Sequence, residues 1–323
     1  MNTFLSCDWG TSSFRLRLVN AENITVLAEI TGALGIAALH NEWIKTGGPE
    51  KDRLSFYRQY LGEQVGEMEK KCGFSLAGVT MVLSGMASSS IGMMDIPYKE
   101  LPYVIGNNEL ERRIIAPSGD FSHKMIVIAG LRTGIDVLRG EETMLEGCGL
   151  MNAADGRQWD EALYIFPGTH SKHISVQNGT AWNFHTYMTG EFFDLLSNKS
   201  ILSGSVQKNE WGAQPENDIY FGRGVRDAAV ANILNLAFYV RGNQLLGGVS
   251  PTKNYHYLSG LLIGSELRGV HSTQHAIILV CNKALKSQYE KALEYLGRSA
   301  DTYYINADDA LIRGQAGILL DNR

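Results

Sequence analysis

Between Thr3 and Val19 the chain starts apolar, passes through small polar residues from Asp8 to Ser13, then alternates. Phe14, Leu16 and Leu18 interleave with Arg15, Arg17 and Val19. Period-two alternation is the mark of a half-buried strand, so this segment predicts two strands joined by a tight turn. Thr25 to Ile30 predicts a third strand, followed by a glycine-bounded loop from Gly32 to Gly35. Leu54, Tyr57, Tyr60, Leu61, Val65 and Met68 recur at helical spacing, which predicts a helix from Asp52 to Lys71. Val79 to Leu83 and Met125 to Gly130 are short apolar runs of buried-strand type.

The second half repeats the opening theme. Ala162 to Val176 predicts strand, glycine turn and strand, a weak echo of the N-terminal hairpin. Helical patterns cover Glu191 to Leu202 and Asp227 to Arg241, and Leu258 to Leu267 sets two glycines at the start of a helix. A strand at Ala276 to Val280, a helix at Gln288 to Leu296, a short strand near Tyr303 and a helix from Asp309 to Leu320 complete the pattern. Strands alternating with helices in both halves predict an α/β protein of two lobes, residues 1–135 and 136–323.

Composition narrows the class. A length of 323 residues accommodates two cores. With 44% apolar residues, 20% charged and a formal net charge of −5, the chain fits neither a disordered segment nor a basic nucleic-acid binder. No apolar run reaches the roughly 18 residues of a membrane helix, and no signal-peptide core precedes Asp8, Arg15 and Arg17, so a cytoplasmic location is expected. Cys7, Cys72, Cys148 and Cys281 have no metal spacing and are expected as reduced, buried thiols. Glycine is in excess, 35 of 323 residues, against about 7% in average proteins.

Several of those glycines mark candidate chemistry. In Asp8-Trp9-Gly10-Thr11-Ser12-Ser13, a turn of Gly, Thr and Ser offers amides and hydroxyls to phosphate oxygens. An acid at the strand end suits a water-mediated Mg²⁺ site. Pro167-Gly168-Thr169-His170-Ser171-Lys172 repeats that logic, with Lys172 as a point charge. Ser259, Gly260 and Gly264 could admit the flat face of a nucleoside. Ordinary turn chemistry and small-residue helix packing are the alternatives for each stretch. His170 and His173 point to opposite faces of a regular strand, which disfavours a shared metal.

Two phosphate hairpins followed by a glycine-containing nucleoside segment is the order found in the actin-like ATPase and sugar-kinase superfamily. Asp8-Trp9-Gly10-Thr11-Ser12-Ser13-Phe14-Arg15, Arg139-Gly140-Glu141-Glu142-Thr143, Phe166 to Lys172 and Thr189-Gly190-Glu191 together resemble the 2-dehydro-3-deoxygalactonokinase family, from about Leu5 to the final Gly314-Gln315-Ala316-Gly317 segment. The sequence departs from the family pattern at Leu138 and Met144, and between Gly85 and Pro97, where a Trp-containing segment is usual.

The resemblance implies a two-lobed actin-like ATPase fold, a duplicated ribonuclease H-like body with a cleft between the lobes. The expected reaction is ATP-dependent phosphorylation of the 6-hydroxyl of 2-dehydro-3-deoxy-D-galactonate. Asp8 would hold Mg²⁺; Gly10, Thr11, Ser12 and Ser13 would meet the β- and γ-phosphates; Gly168, Thr169 and His170 would close on them; Ser259, Gly260 and Gly264 would border the adenosine. An acceptor hydroxyl needs a carboxylate to take its proton, and either Glu141 or Glu142 stands where related kinases carry one, with Asp95 a lesser candidate. Arg15, Arg132 and Arg139 are the candidates to meet the substrate carboxylate. Gly35, Ser84, Gly85 and Ser88 would bind its hydroxyls. Another sugar or sugar-acid kinase, or a non-catalytic actin-like nucleotide-binding protein, are the alternatives. A homodimer is the commonest assembly for such an enzyme.

Overall fold

In the computed structural model, which describes residues 2–154, 161–212, 215–270 and 276–321, the chain divides into two compact units. Unit 1 comprises Met1–Trp159, Asn178–Asn183 and Ala307–Arg323; unit 2 comprises Asp160–Gln177 and Phe184–Asn306. Unit 1 therefore runs on past residue 135, the join read from the sequence, and it includes the closing helix.

The sheet of unit 1 is built on β1 (Thr3–Trp9), β2 (Phe14–Asn20), β3 (Thr25–Gly32), β4 (Met81–Gly85) and β5 (Met125–Ile128), in the order β3-β2-β1-β4-β5. β1, β2 and β3 form an antiparallel meander, whereas β1, β4 and β5 run parallel. The helices α1 (Ile36–Thr46) and α2 (Arg53–Cys72) follow the meander. α2 buries Tyr57, Tyr60, Leu61, Val65 and Met68, the stripe that the 3.6-residue period set out. Trp9, Phe14, Tyr57 and Tyr60 make an aromatic cluster beneath the first hairpin, with Trp9 and Phe14 edge to face at 5.1 Å. The helices α3 (Glu141–Ala154) and α9 (Ala307–Leu320) cross closely, with Gly147 against Ala310 and Gly314 against Thr143.

Unit 2 repeats the scheme. β6 (Glu161–Phe166), β7 (Ser171–Gln177), β8 (Thr180–Tyr187), β9 (Ala276–Cys281) and β10 (Thr302–Asn306) stand in the order β8-β7-β6-β9-β10. β6 and β7 are antiparallel, and β6, β9 and β10 are parallel. The start of β8 groups with unit 1, where Thr180 and Ala181 pair with Val104 and Tyr103. Both units thus follow one plan, an antiparallel three-stranded meander whose first strand continues the sheet through parallel strands. Along unit 2 lie α4 (Thr189–Asn198), α5 (Pro215–Val230), α6 (Ile233–Gly247), α7 (Pro251–Leu267) and α8 (Lys283–Tyr295).

Three expectations differ in detail. The helix expected from Asp227 to Arg241 is two helices, because Asn232 leaves helical geometry and accepts a hydrogen bond from Leu234 N to cap α6. Gly260 and Gly264 lie inside α7, which starts earlier, at Pro251 behind the Ser250 cap. β8 was not anticipated, since its buried apolar positions, Ala181 and Phe184, stand three apart and break the period-two alternation of a strand. Among the described residues no helix is long and apolar enough to cross a membrane, and all four cysteines are free.

Candidate functional site

The first hairpin turn is held from three sides. Gly10 N donates to Ser13 O at 2.9 Å, and the first amides of α1, Ile36 N and Ala37 N, donate to Gly10 O and Thr11 O at 3.0 Å. Trp9 Nε1 donates to Leu34 O at 3.2 Å, tying the glycine-bounded loop to the strand end. Gly35 lies so close that an added Cβ would stand 2.5 Å from the Ser12 and Ser13 backbone. Thr11, Ser12 and Ser13 remain exposed. The turn is thus fixed while its polar side chains face solvent.

Asp8 sits half-buried at the end of β1, opposite Arg15 in register. Burial pushes its carboxyl above the ordinary range, Arg17 and Arg15 pull it back, and Asp308 pushes it up again. Arg17, 1% exposed, donates to Glu29 at 2.6 Å and Asp308 at 2.7 Å, and Arg15 meets the same Asp308 oxygen at 2.7 Å. Two carboxylates and two guanidinium groups therefore surround the strand end. No group of three metal-ligating side chains occurs among the described residues. A magnesium ion needs none, since it keeps several waters and takes one or two carboxylates together with phosphate oxygens. Asp8 fits that role, and a divalent cation would offset the repulsion from Asp308.

Parallel pairing of β1 with β4 sets Ser84 beside Asp8 and Gly85 beside Trp9. Gly85 has φ 90° and lies against the Trp9 carbonyl, a geometry that only glycine adopts without strain. Ser84 is fully buried, and its hydroxyl accepts from Gln315 Nε2 at 2.9 Å, so it serves the core. Ser88 accepts from Arg139 Nη1 at 2.6 Å. Arg139 also donates to Ile96 O at 3.1 Å and lies 3.9 Å over the Tyr98 ring, while its buried Nε has no partner. Arg132, by contrast, is exposed and paired with Glu100.

Gly140, φ 107°, comes next to Gly85 and opens α3. Glu142 is fully buried; its carboxylate accepts from Gly140 N at 2.6 Å and from Thr143 Oγ1 at 3.0 Å. Burial and the neighbouring Glu141 push its pKa up to about 8 despite those hydrogen bonds. Glu141 is only half-buried. Asp95 lies 3.9 Å from Arg139 with its side chain exposed.

Unit 2 contributes its own turn. Gly168 has open space where a Cβ would be, and Thr169 and His170 are exposed. His170 Nε2 meets Glu191 at 2.5 Å and Glu191 N donates to Thr169 O at 3.1 Å, docking the turn on the start of α4. Lys172 is buried and donates to Thr186 at 2.9 Å, which removes it as a free cation for phosphate. Beneath the turn lies a network that sequence reasoning missed. Glu266, 2% exposed, accepts from Tyr289 at 2.7 Å, from Thr189 and from His173 at 3.0 Å, and Tyr289 meets Ser171 at 3.2 Å. The available signal was an acid in an otherwise apolar stretch of α7.

A cavity of ≈ 210 Å³ adjoins this network, reached from Gly168, Gly190, Trp211, Tyr255 and Ser259. Of the three residues expected beside a nucleoside, Ser259 lines it. Gly260 and Gly264 face α5 instead, where a Cβ would collide with the Phe221 carbonyl and crowd Val225. Unit 1 thus gathers Asp8, the first turn, Gly85, Ser88 and Arg139 to Glu142, while unit 2 gathers the second turn and the cavity.

The chain is similar to known proteins along most of its length. The family described as 2-keto-3-deoxy-galactonokinase matches residues 8–318. A Rhizobium meliloti relative named as a 2-dehydro-3-deoxygalactonokinase is 30% identical over 321 residues, 96% of this chain and 94% of its own. The Escherichia coli 2-dehydro-3-deoxygalactonokinase is 31% identical over 245 residues, 74% of this chain and 76% of its own. The crystal structure of a Sinorhizobium meliloti protein described by the same activity superposes with a TM-score of 0.81 at 28% identity, covering 98% of this chain and 96% of that one.

Proposed function

The chain belongs to the 2-keto-3-deoxy-galactonokinase family, and on that premise we propose that it transfers the γ-phosphoryl group of ATP to the 6-hydroxyl of 2-dehydro-3-deoxy-D-galactonate. It is a phosphotransferase with an alcohol acceptor. The observation that carries the assignment of roles is the pairing at the start of α3: a half-buried Glu141 beside a buried, hydrogen-bonded Glu142, next to Gly85 and Arg139.

Phosphoryl transfer asks the protein for position and charge more than for covalent chemistry. Thr11, Ser12 and Ser13 on the fixed first turn are the phosphate-binding positions of unit 1, and Gly168, Thr169 and His170 are those of unit 2. Asp8 would hold a magnesium ion, which would neutralise phosphate charge, and Arg15 lies opposite Asp8 in register. The cavity lined by Ser259 takes the adenosine. Gly35, Gly85 and Ser88 border the acceptor. Arg139 fixes Ser88 and the Ile96 carbonyl, and its unpaired Nε supplies a donor for the acceptor carboxylate.

Of the two acids, Glu141 is the base. Both Glu142 oxygens are occupied by Gly140 N and Thr143, and its raised pKa keeps it largely protonated at neutral pH, so it positions rather than accepts. Glu141→Gln should lower kcat by roughly 10²–10⁴-fold, the usual worth of a general base, with ADP affinity unchanged. Steady-state kinetics and ADP titration check this; a Glu141→Gln enzyme of undiminished kcat removes Glu141 from the chemistry.

A further inference from the structure

Helix α6 is apolar on two opposite sides. Leu236 and Val240 are buried in one cluster with Tyr257, Leu258 and Leu261 of α7. On the other side Leu234 is 85% exposed, Phe238 59%, Leu245 63% and Leu246 92%. Positions 234, 238, 242 and 245 follow helical spacing, so they make one stripe. Tyr239, 44% exposed, flanks it, and Val230, 82% exposed, ends α5 just before α6. Scattered exposed apolar side chains are ordinary, whereas a continuous stripe of them marks an interaction surface.

Two further features set the stripe apart. α6 contains no Asp, Glu or Lys, although 20% of the chain is charged. Its Arg241 donates to Ser205 and Gln244. Gly242 lies within the stripe, and an added Cβ there would meet nothing within 4 Å. Glycine is a poor helix former, and no close packing among the described residues calls for it at this position.

We propose that this face of α6 docks on the same face of a second copy of the chain, helix against helix, antiparallel about a two-fold axis level with Val240. In that register the stripe is complementary to itself. A two-fold pair brings residue i to j and j to i. Leu234 then comes opposite Leu246, and Phe238 opposite the open space at Gly242, each contact made twice. Glycine at that point lets the helix axes approach to about 8 Å. A partner recognised by opposite charge would find no acid or lysine on α6 to engage. A buried aromatic side chain brings roughly 150–250 Å². Six side chains exposed by 44–92% therefore match, in order of magnitude, the ~800 Å² that each partner of a stable interface buries. No residue of α6 has a part in the proposed phosphoryl transfer, so association and catalysis are tested separately.

The test is sedimentation velocity of the full chain from about 1 to about 100 μM, which spans the weak end of interfaces of this size. The native chain should sediment at twice its chain mass as concentration rises. Phe238→Asp should raise the dimer dissociation constant at least about tenfold by setting a charge in an apolar contact. Gly242→Leu should do the same by filling the space opposite Phe238. That variant is the better helix former and meets open space in the single chain, so its helix content by circular dichroism should be undiminished. Register is read by mild oxidation: a chain carrying both Leu234→Cys and Leu246→Cys should form a disulfide-linked dimer, and neither single variant nor the native chain should. A native chain that stays monomeric over the whole range overturns the proposal and leaves the face to a different protein. A dimer that Gly242→Leu does not weaken, or single-cysteine variants that cross-link as well as the double, overturns it too.

Discussion

Glu142 is a carboxyl group held in the wrong environment for a carboxylate. It is buried beside Glu141, its pKa is raised to about 8, and its ordinary value is 4.5. Between those values the folded chain keeps a proton that the unfolded chain has lost. Stability must therefore fall as pH rises from about 4.5 to about 8, and level off above. Glu142→Gln mimics the protonated acid and removes this slope. Melting temperatures across pH 5 to 8 should show the variant gaining on the native chain by several degrees toward pH 8, with little difference near pH 5. A variant destabilised at pH 8 would mean that Glu142 is ionised there and that Gly140 N and Thr143 hold a carboxylate. The residue motif R-G-E-E-T was legible in the sequence. Which acid is buried was not, because adjacent helix positions differ only by a rotation that packing sets.

At the scale of elements, the α5–α7 crossing explains the glycines of α7. Gly260 sits under the Phe221 carbonyl and Gly264 under Val225, so the two helices meet backbone to backbone. Gly260→Ala should cost about 1–3 kcal/mol of stability, the usual penalty of overpacking, with ADP affinity of the folded protein unchanged. Thermal melts and ADP titration on one preparation decide it; lost affinity without lost stability would return Gly260 to the nucleotide. The hairpins were legible as elements because a period of two, a glycine turn and a second period of two leave few alternatives. The glycines of α7 were harder to read, since a Gly-x-x-x-Gly spacing serves a ligand or a neighbouring helix equally well in one dimension. The break at Asn232 was hidden because the apolar pattern continues across it, from Val230 to Ile233.

Over the whole molecule, duplication is the organising fact. Each unit carries an antiparallel meander feeding a parallel pair, and each offers one turn of small polar residues. The strand order was beyond the reach of the sequence, because parallel partners such as Leu5 and Met81 lie far apart in the chain and share only hydrophobicity. Under the proposed assignment unit 1 carries Glu141, Asp8 and Arg139, and unit 2 carries the second turn and the cavity lined by Ser259. The buried network of Glu266, Tyr289, Thr189 and His173 gives that second turn a rigid floor. The most direct measurement of the central claim is ADP formation, coupled to a spectrophotometric readout, with 2-dehydro-3-deoxy-D-galactonate and with its gluconate epimer as separate acceptors. Acceptor-dependent ADP release with the galactonate, at a kcat/KM well above that with the epimer, is the predicted result; equal turnover of both acids, or none with the galactonate, would contradict it.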